Sequence, residues 1–191
     1  MSREPPDVDA LLAVLDRHAV RYVVTGSGAA LLLGVALRPG DLDVTPALDH
    51  ENLANLARAL AELRATLDPD EPFGRWETVD GEHTWVAFEP TRADREARTR
   101  WRPDPDAPES FDHLLRTPHG ALDIVPTIAG SHDDLRARAV PVGRGAGGVV
   151  WVESVADQLA TLTVPRREKD AGRVQALRAL QRAEGSPRPG R

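Results

Sequence analysis

The chain contains 191 residues, of which 41% are apolar and 28% are charged, with 24 basic and 30 acidic side chains and no cysteine. This length predicts one domain, or one domain with a small appendage, and the absence of cysteine from the chain excludes thiolate catalysis and thiolate-bound zinc. The net charge of −6 argues against a protein that coats nucleic acid through its overall field, although a local basic face remains compatible with it.

The first third of the chain predicts an alternation of helices and strands. Apolar residues at helical spacing indicate two amphipathic helices, and a β-branched run that ends in glycine indicates a strand, a turn and a short buried helix. Asp49 stands just before the second amphipathic helix, where a capping side chain belongs. The expected order is helix, strand, helix, strand, helix, over residues 8–18, 21–25, 29–33, 41–45 and 51–63.

The rest of the chain predicts further strands and ends in two helices. Residues 91–110 are charged and rich in proline, which favours an extended loop with at most one helical turn. Strands are expected over 83–88, 111–116, 121–125 and 149–152, with a hairpin turn at 117–120 and helices over 131–138, 154–163 and 167–183.

This order of elements predicts the α+β class, with a mixed β-sheet flanked by helices and closed by a C-terminal helical pair. We expect a core over residues 1–152, a helical extension packed on it over 153–183, and a disordered tail over 184–191. No apolar run approaches the roughly 20 residues that span a bilayer, and the N-terminus lacks the pattern of a signal peptide. We therefore expect a cytoplasmic protein with no membrane partner.

Gly26 and Ser27 form a glycine turn between the first strand and the helix that follows it. Free backbone N–H groups at such a turn bind anions, and glycine lets a phosphate approach closely. The alternative is an ordinary helix cap, in which the Ser27 side chain accepts a backbone N–H. Taken alone, the turn favours this second interpretation.

Asp41 and Asp43 are two residues apart on the next predicted strand. Residues at this spacing point to the same face, so the two carboxylates project together while Leu42 and Val44 face the core. Two like charges this close raise each other's pKa and destabilise the fold unless a cation lies between them. A solvated strand edge is the commoner fate of such a pair, but the apolar residue between the acids argues against it.

Asp123 lies in the middle of an otherwise apolar predicted strand, residues 121–125. Buried carboxylates are rare unless they are paired or bind a metal, although an edge residue or a salt-bridge partner would also fit. If this strand pairs beside residues 41–45, three carboxylates meet at one place. Oxygen ligands of this kind suit Mg²⁺ or Mn²⁺ rather than zinc.

The order of these features resembles a known superfamily. Gly26-Ser27, then Asp41 and Asp43 after thirteen intervening residues, then Asp123 on a later strand, resemble the nucleotidyltransferases with the DNA polymerase β-like fold. The surrounding pattern is similar, more particularly, to small bacterial nucleotidyltransferases related to AbiEii-type toxins and to minimal antitoxin-associated transferases. The resemblance extends over residues 20–180 and implies a nucleotidyltransferase core.

The resemblance also implies a role for each residue of the pattern. Asp41 and Asp43 would bind two Mg²⁺ or Mn²⁺ ions together with the nucleoside triphosphate. Asp123 would complete the second metal site and help to deprotonate the attacking hydroxyl. Gly26 and Ser27 would hold the β- and γ-phosphates.

The chain lacks a lysine that relatives in the superfamily often carry, and its only lysine is Lys169. Relatives often carry a lysine in the helix that begins near Asp157, but Leu162 stands at or near that position here. Either the grip on the triphosphate is weakened, or the role passes to Lys169 or to Arg166 and Arg167.

Two further basic residues are candidates for nucleotide binding. Lys169 and Asp170 match a pair that is common at the start of the superfamily's last helix, although a solvated helix face would have the same composition. Arg38, just before the acidic strand, either contacts phosphate or pairs with Asp41 or Asp43, and the ion pair is the favoured alternative.

The resemblance implies an enzyme that transfers a nucleoside monophosphate from an NTP such as ATP to a hydroxyl and releases pyrophosphate. The acceptor would be an RNA end, a protein, or a small molecule such as an aminoglycoside. The arginine-rich run 92–102 would steer an RNA end or another acidic acceptor, or is a solvated loop. The alternative is a catalytically degenerate protein that binds nucleotide or a cognate partner protein, and a toxin–antitoxin role is compatible with either.

Overall fold

The computed structural model describes residues 4–79, 82–127, 130–145, 148–162 and 168–185. Within these ranges the chain forms seven α-helices and nine strands. The helices are α1 (Val8–Arg17), α2 (Gly26–Leu32), α3 (His50–Glu62), α4 (Arg92–Thr99), α5 (His132–Arg138), α6 (Val155–Thr161) and α7 (Glu168–Gly185). The strands are β1 (Tyr22–Thr25), β2 (Leu42–Pro46), β3 (Thr66–Leu67), β4 (Gly74–Val79), β5 (Glu82–Ala87), β6 (Leu114–Thr117), β7 (Gly120–Ile124), β8 (Val140–Gly143) and β9 (Val149–Val152).

Seven of the strands form one mixed sheet in the order β3-β6-β7-β2-β1-β9-β8. The central strand β2 is antiparallel to β1 and parallel to β7, and β1 is parallel to β9. Strands β4 and β5 pair with each other in a separate two-stranded sheet. The predicted α+β class with a mixed sheet is confirmed.

Helices α1 and α3 cover one face of the sheet. Each carries apolar residues at helical spacing, and Asp7 and Asp49 cap their first turns by accepting backbone N–H groups. Their leucines pack against alternate residues of β2 and β7, which are buried: Leu42, Val44, Leu122 and Ile124. Because side chains alternate along a strand, the residues between these four point to the opposite face.

A second apolar cluster joins α2 to the C-terminal helices. It contains Ala30, Val35, Val155, Leu162 and Leu177, all of them buried. The predicted C-terminal helical pair is thus present and packs on α2. The division into a core and an extension stays a prediction, as does the disordered tail, of which residues 186–191 lie outside the described part of the chain.

The loop predicted over residues 91–110 is wrong in its first half, because residues 92–99 form α4. Thr91 and Asp94 form a capping box at its start. Arg98 holds the helix in place through an ion pair with Glu71 at 2.6 Å, and its guanidinium carbon lies 4.3 Å from the centre of the Phe73 ring. No residue of α4 is fully buried, so apolar periodicity gave no signal for it.

Three strands, β3, β4 and β8, were not predicted. Strand β3 has only two residues and β8 contains Pro141 near the edge of the sheet, so neither carries a clear alternating pattern. The strand predicted from Phe111 begins only at Leu114, because Pro108–Phe111 form a 3₁₀ turn. Among the described residues, no helix is both long enough and apolar enough to cross a membrane.

Candidate functional site

A row of paired residues crosses four neighbouring strands on the face opposite to α1 and α3. Asp43 of β2 pairs with Thr25 of β1 on one side and with Asp123 of β7 on the other. Asp123 in turn pairs with Leu114 of β6. Paired residues on adjacent strands share a face, so the register places the side chains of Asp43 and Asp123 next to each other.

The row opens into a cavity of about 620 Å³. Asp170 and Arg173 of α7 line the same cavity. Six of the seven residues predicted to form the site also line it: Gly26, Ser27, Arg38, Asp41, Asp43 and Asp123. The seventh, Lys169, lies in the first turn of α7, and its side chain is outside the described residues. The structure thus brings the six together, while their individual roles stay predictions.

Gly26 is required at the turn for two physical reasons. Its φ angle is +62°, in the left-handed region that favours glycine. A Cβ atom at this position would also lie 2.7 Å from Cγ of Asp43, which is closer than side chains approach one another. The absence of a side chain at Gly26 therefore lets the acidic strand pass directly beside the turn.

The helix-cap interpretation of Ser27 is wrong. Helix α2 begins at Gly26, its capping residue is Thr25, and no side chain caps it. The first two N–H groups of the turn instead face carboxylates. Gly26 N–H donates to Oε2 of Glu153 at 3.2 Å, and the Ser27 N–H lowers the pKa of Asp43.

The electrostatics of the site centre on Asp43. Burial raises the pKa of Asp43 well above its usual range, and repulsion from Asp41 and from Asp123 raises it further. The positive charge of Arg173 and the Ser27 N–H act in the opposite direction. Asp41 and Asp123 are thus both close enough to repel Asp43.

The carboxylates of Asp41, Asp43 and Asp123 are suitable ligands for a hard divalent cation, although in this structure they do not converge on a single point. Among the described residues, no three acidic or histidine side chains have the spacing of ligands to a single metal ion. The set nevertheless offers only oxygen atoms, which suits Mg²⁺ or Mn²⁺. A cation would also relieve the repulsion that raises the pKa of Asp43.

Arg38 lines the cavity without forming the favoured ion pair. Within the described residues, no salt bridge joins it to Asp41 or to Asp43. Its side chain is exposed at the rim, where a guanidinium would be available to a phosphate. The ion pair that the sequence favoured for Arg38 is therefore absent from the described residues, and phosphate contact stays a prediction.

The position of the missing helix lysine is part of the apolar core. Leu162, at the end of α6, is buried against Val155 and Leu177. It does not line the cavity. The described cation nearest to this role is Arg173 of α7, which lines the cavity and interacts with Asp43. Sequence reasoning missed it, although it lies one turn after the Lys169–Asp170 pair and therefore on the same helix face.

Glu153 is a second residue that the sequence reasoning missed. It follows β9 directly, is only 3% exposed, and has one carboxylate oxygen, Oε1, with no hydrogen-bond partner among the described residues. Burial raises its pKa to about 7, with a further increase from Asp157 that the Gly26 N–H and Arg173 partly offset. An acid directly after the apolar run 149–152 was the available signal.

The fold of the chain is that of the nucleotidyltransferases. A crystal structure of the lincosamide antibiotic adenylyltransferase LnuA, bound to lincomycin, matches with a TM-score of 0.50 at 15% identity, over 93% of this chain and 99% of that chain. A solution structure of the antibiotic-resistance factor ANT(2'')-Ia gives a TM-score of 0.44 at 16% identity, over 93% of this chain and 90% of that chain.

Comparison by sequence adds no closer relationship, because neither a protein-family model nor a curated protein matches the chain. The predicted resemblance to the nucleotidyltransferase superfamily is thus confirmed at the level of the fold. The narrower resemblance to AbiEii-type proteins stays a prediction.

Proposed function

We propose that this chain is a metal-dependent nucleotidyltransferase that moves a nucleoside monophosphate from an NTP to a hydroxyl group. The observation that carries the proposal is the meeting of Asp41, Asp43 and Asp123 in one cavity with the Gly26–Ser27 turn. Asp41 and Asp123 both repel Asp43, which a fold tolerates poorly unless a cation is part of the working state. The nucleotidyltransferase fold supports the same conclusion.

Cationic and small residues of the cavity would bind the triphosphate. Arg38, in the loop before β2, and Arg173, in α7, supply positive charge to the cavity. Arginine suits phosphate because its planar donors match phosphate oxygens. Ser27 would contribute a hydroxyl and Gly26 the close approach. Lys169 stays a candidate for the same role.

The reaction forms one bond and breaks another at the α-phosphate. The acceptor oxygen attacks the α-phosphorus, the bond from that phosphorus to the bridging oxygen breaks, and pyrophosphate leaves. Asp123 would accept the hydroxyl proton as the new bond forms. Asp41 and Asp43, with Asp123, would hold Mg²⁺ or Mn²⁺, and such ions stabilise the charge on the entering and leaving oxygens.

A small molecule is the acceptor that the structure supports best. Three arginines of the run that would have steered an RNA end are paired with acids instead: Arg92 and Arg100 both with Glu96, and Arg98 with Glu71. A cavity of about 620 Å³ lies within the usual range for small-molecule sites. The structural neighbour LnuA is a lincosamide adenylyltransferase, and lincosamides are accordingly one acceptor class to test, beside aminoglycosides.

The test is transfer of label from α-labelled ATP, GTP, CTP and UTP, with Mg²⁺ or Mn²⁺, to panels of hydroxylated antibiotics, RNA ends and proteins. We expect labelled product and equimolar pyrophosphate with one acceptor class. Asp41→Ala should abolish both. The control Asp106→Asn, which changes an exposed acid that does not line the cavity, should leave both unchanged. Transfer that persists unchanged in Asp41→Ala would contradict the mechanism.

A nucleotide-binding protein without turnover is the second candidate. The apolar Leu162 at the expected lysine position favours it. Calorimetry beside the transfer assay separates the two, because this candidate binds NTP but forms no product. A toxin–antitoxin role with a cognate partner protein, and a cytoplasmic location, stay predictions under either candidate.

A further inference from the structure

Glu153 contacts the glycine turn from the side opposite to the acidic strand. Its Oε2 accepts the Gly26 N–H at 3.2 Å, while Asp43 faces the next N–H, that of Ser27. The turn is therefore held between two carboxylates that come from β2 and from the end of β9. Only Asp43 belongs to the carboxylate row of the proposed reaction.

The burial of Glu153 is only partly offset by its described contacts. A carboxylate that is 3% exposed is costly to bury, and Oε1 has no hydrogen-bond partner among the described residues. It forms no salt bridge within the described ranges. Its one described hydrogen bond through the carboxylate ends on the backbone of the turn, which points to a role at that turn.

We propose that Glu153 is a positioning residue for nucleotide binding, which fixes the Gly26–Ser27 turn by accepting the Gly26 N–H. This inference rests on the proposed function, because it assumes that the cavity binds an NTP. With its N–H held by Glu153, Gly26 keeps the left-handed conformation in which the turn passes beside Asp43. Without an acceptor the peptide between Thr25 and Gly26 is free to rotate, and Ser27 loses its position.

Two substitutions of Glu153 separate the loss of its charge from the loss of its hydrogen-bond acceptor. In Glu153→Gln the amide oxygen can still accept the Gly26 N–H, so we expect the Kd for NTP, measured by calorimetry with Mg²⁺, to stay within about threefold of the wild type. In Glu153→Ala no acceptor remains, and the loss of a hydrogen bond to a carboxylate should weaken NTP binding about tenfold or more.

The matched control is Asp94→Ala, which removes a carboxylate that accepts the Thr91 N–H on α4, outside the cavity. We expect it to lower the unfolding temperature while leaving the Kd for NTP unchanged. A merely structural Glu153 would behave in the same way, so an unchanged Kd in Glu153→Ala would overturn the inference. Equal weakening in Glu153→Gln and Glu153→Ala would overturn it as well, because the acceptor would then be irrelevant.

The outcome also distinguishes this inference from the proposed function. If the wild type binds NTP and Glu153→Ala binds it equally well, only the role of Glu153 is wrong. If the wild type binds none of the four NTPs, the proposed function fails and the inference fails with it. If Glu153→Ala does not fold, Glu153→Gln alone decides, because a weakening beyond threefold contradicts the role of the acceptor oxygen.

Discussion

Gly26 and Gly34, two of the described glycines with positive φ angles, have very different surroundings. At Gly26 a Cβ atom would collide with the Asp43 side chain, whereas at Gly34, with φ +94°, a Cβ atom would meet nothing within 4 Å. Both positions disfavour a side chain on the backbone, but only Gly26 is crowded. The pair therefore separates the effect of backbone strain from the effect of space in the site.

We expect Gly26→Ala to abolish NTP binding and Gly34→Ala to preserve it. Both variants should lose about 1 kcal/mol of unfolding free energy or more, because alanine disfavours positive φ. Only in Gly26→Ala does the new methyl group displace Asp43. Calorimetric titration with NTP and Mg²⁺, beside urea denaturation of each variant, checks both statements. Normal binding by Gly26→Ala would show that the close approach is unnecessary.

The raised pKa of Glu153 predicts a pH dependence of stability. Burial raises this pKa from 4.5 to about 7, so between these values the folded chain holds a proton that the unfolded chain has lost. The free energy of unfolding therefore falls as the pH rises through this window and levels off above it. The groups that face Glu153 are the Gly26 N–H, Asp157, Arg138 and Arg173.

Glu153→Gln should remove this contribution. Relative to the wild type, we expect the variant to be more stable at pH 8 than at pH 5 by roughly 2 kcal/mol. Urea denaturation of both proteins at the two pH values measures the difference. An equal difference at both values would mean that the carboxyl group titrates normally in the folded protein.

At the scale of elements, the cation beside Asp43 comes from α7 rather than from α6. Leu162 of α6 is committed to the apolar cluster, and Arg173 of α7 lines the cavity beside Asp43. Its Nε atom is buried and has no hydrogen-bond partner among the described residues, which is a costly state for a cationic donor.

Arg173→Ala should therefore weaken NTP binding by about tenfold, since a charge-assisted hydrogen bond to phosphate is lost. The matched control is Arg178→Ala, an exposed arginine of the same helix, which should bind NTP like the wild type. Fluorescence titration with a labelled ATP analogue compares the three proteins. Equal affinities would transfer the role to another cation, Lys169 being the first to test.

Helix α4 depends on a charge pair rather than on apolar packing. The side chains of Arg98 and Glu71 are 12% and 15% exposed, whereas Arg92 and Glu96, also paired, are 93% and 47% exposed. We expect Arg98→Met to lower the free energy of unfolding by about 2 kcal/mol, because the largely buried Glu71 carboxylate loses its guanidinium partner and keeps only the Leu114 N–H and His113 among its described partners. Arg92→Met should cost less than about 0.5 kcal/mol. Similar values in urea denaturation would contradict this account of α4.

The same elements explain which parts of the molecule could be predicted from sequence. Strand β2, which carries Asp43 and directly follows Asp41, and strand β7, which carries Asp123, are otherwise mostly apolar, and this contrast allowed both the elements and the site to be predicted. Helix α4 has no buried residue, so its pattern resembled a loop. Glu153 and Arg173 left only a weak signal in the sequence, because they join the site through the pairing of β9 with β1 and the packing of α7.

At the scale of the whole molecule, the sheet order assembles the candidate site. Strand β2 lies between β1, which leads into the glycine turn, and β7, which carries Asp123. Residues far apart in the chain thereby share one cavity, which α7 completes from the other side. The central claim is that this cavity transfers a nucleoside monophosphate through the three carboxylates.

The rate of label transfer from α-labelled NTP in the wild type and in Asp43→Asn tests this claim most directly. The substitution keeps the size of the side chain and removes the negative charge at the centre of the row. We predict measurable transfer by the wild type and at least about a thousandfold loss in the variant, which corresponds to about 4 kcal/mol of transition-state stabilisation. Transfer by Asp43→Asn at the wild-type rate would contradict the account.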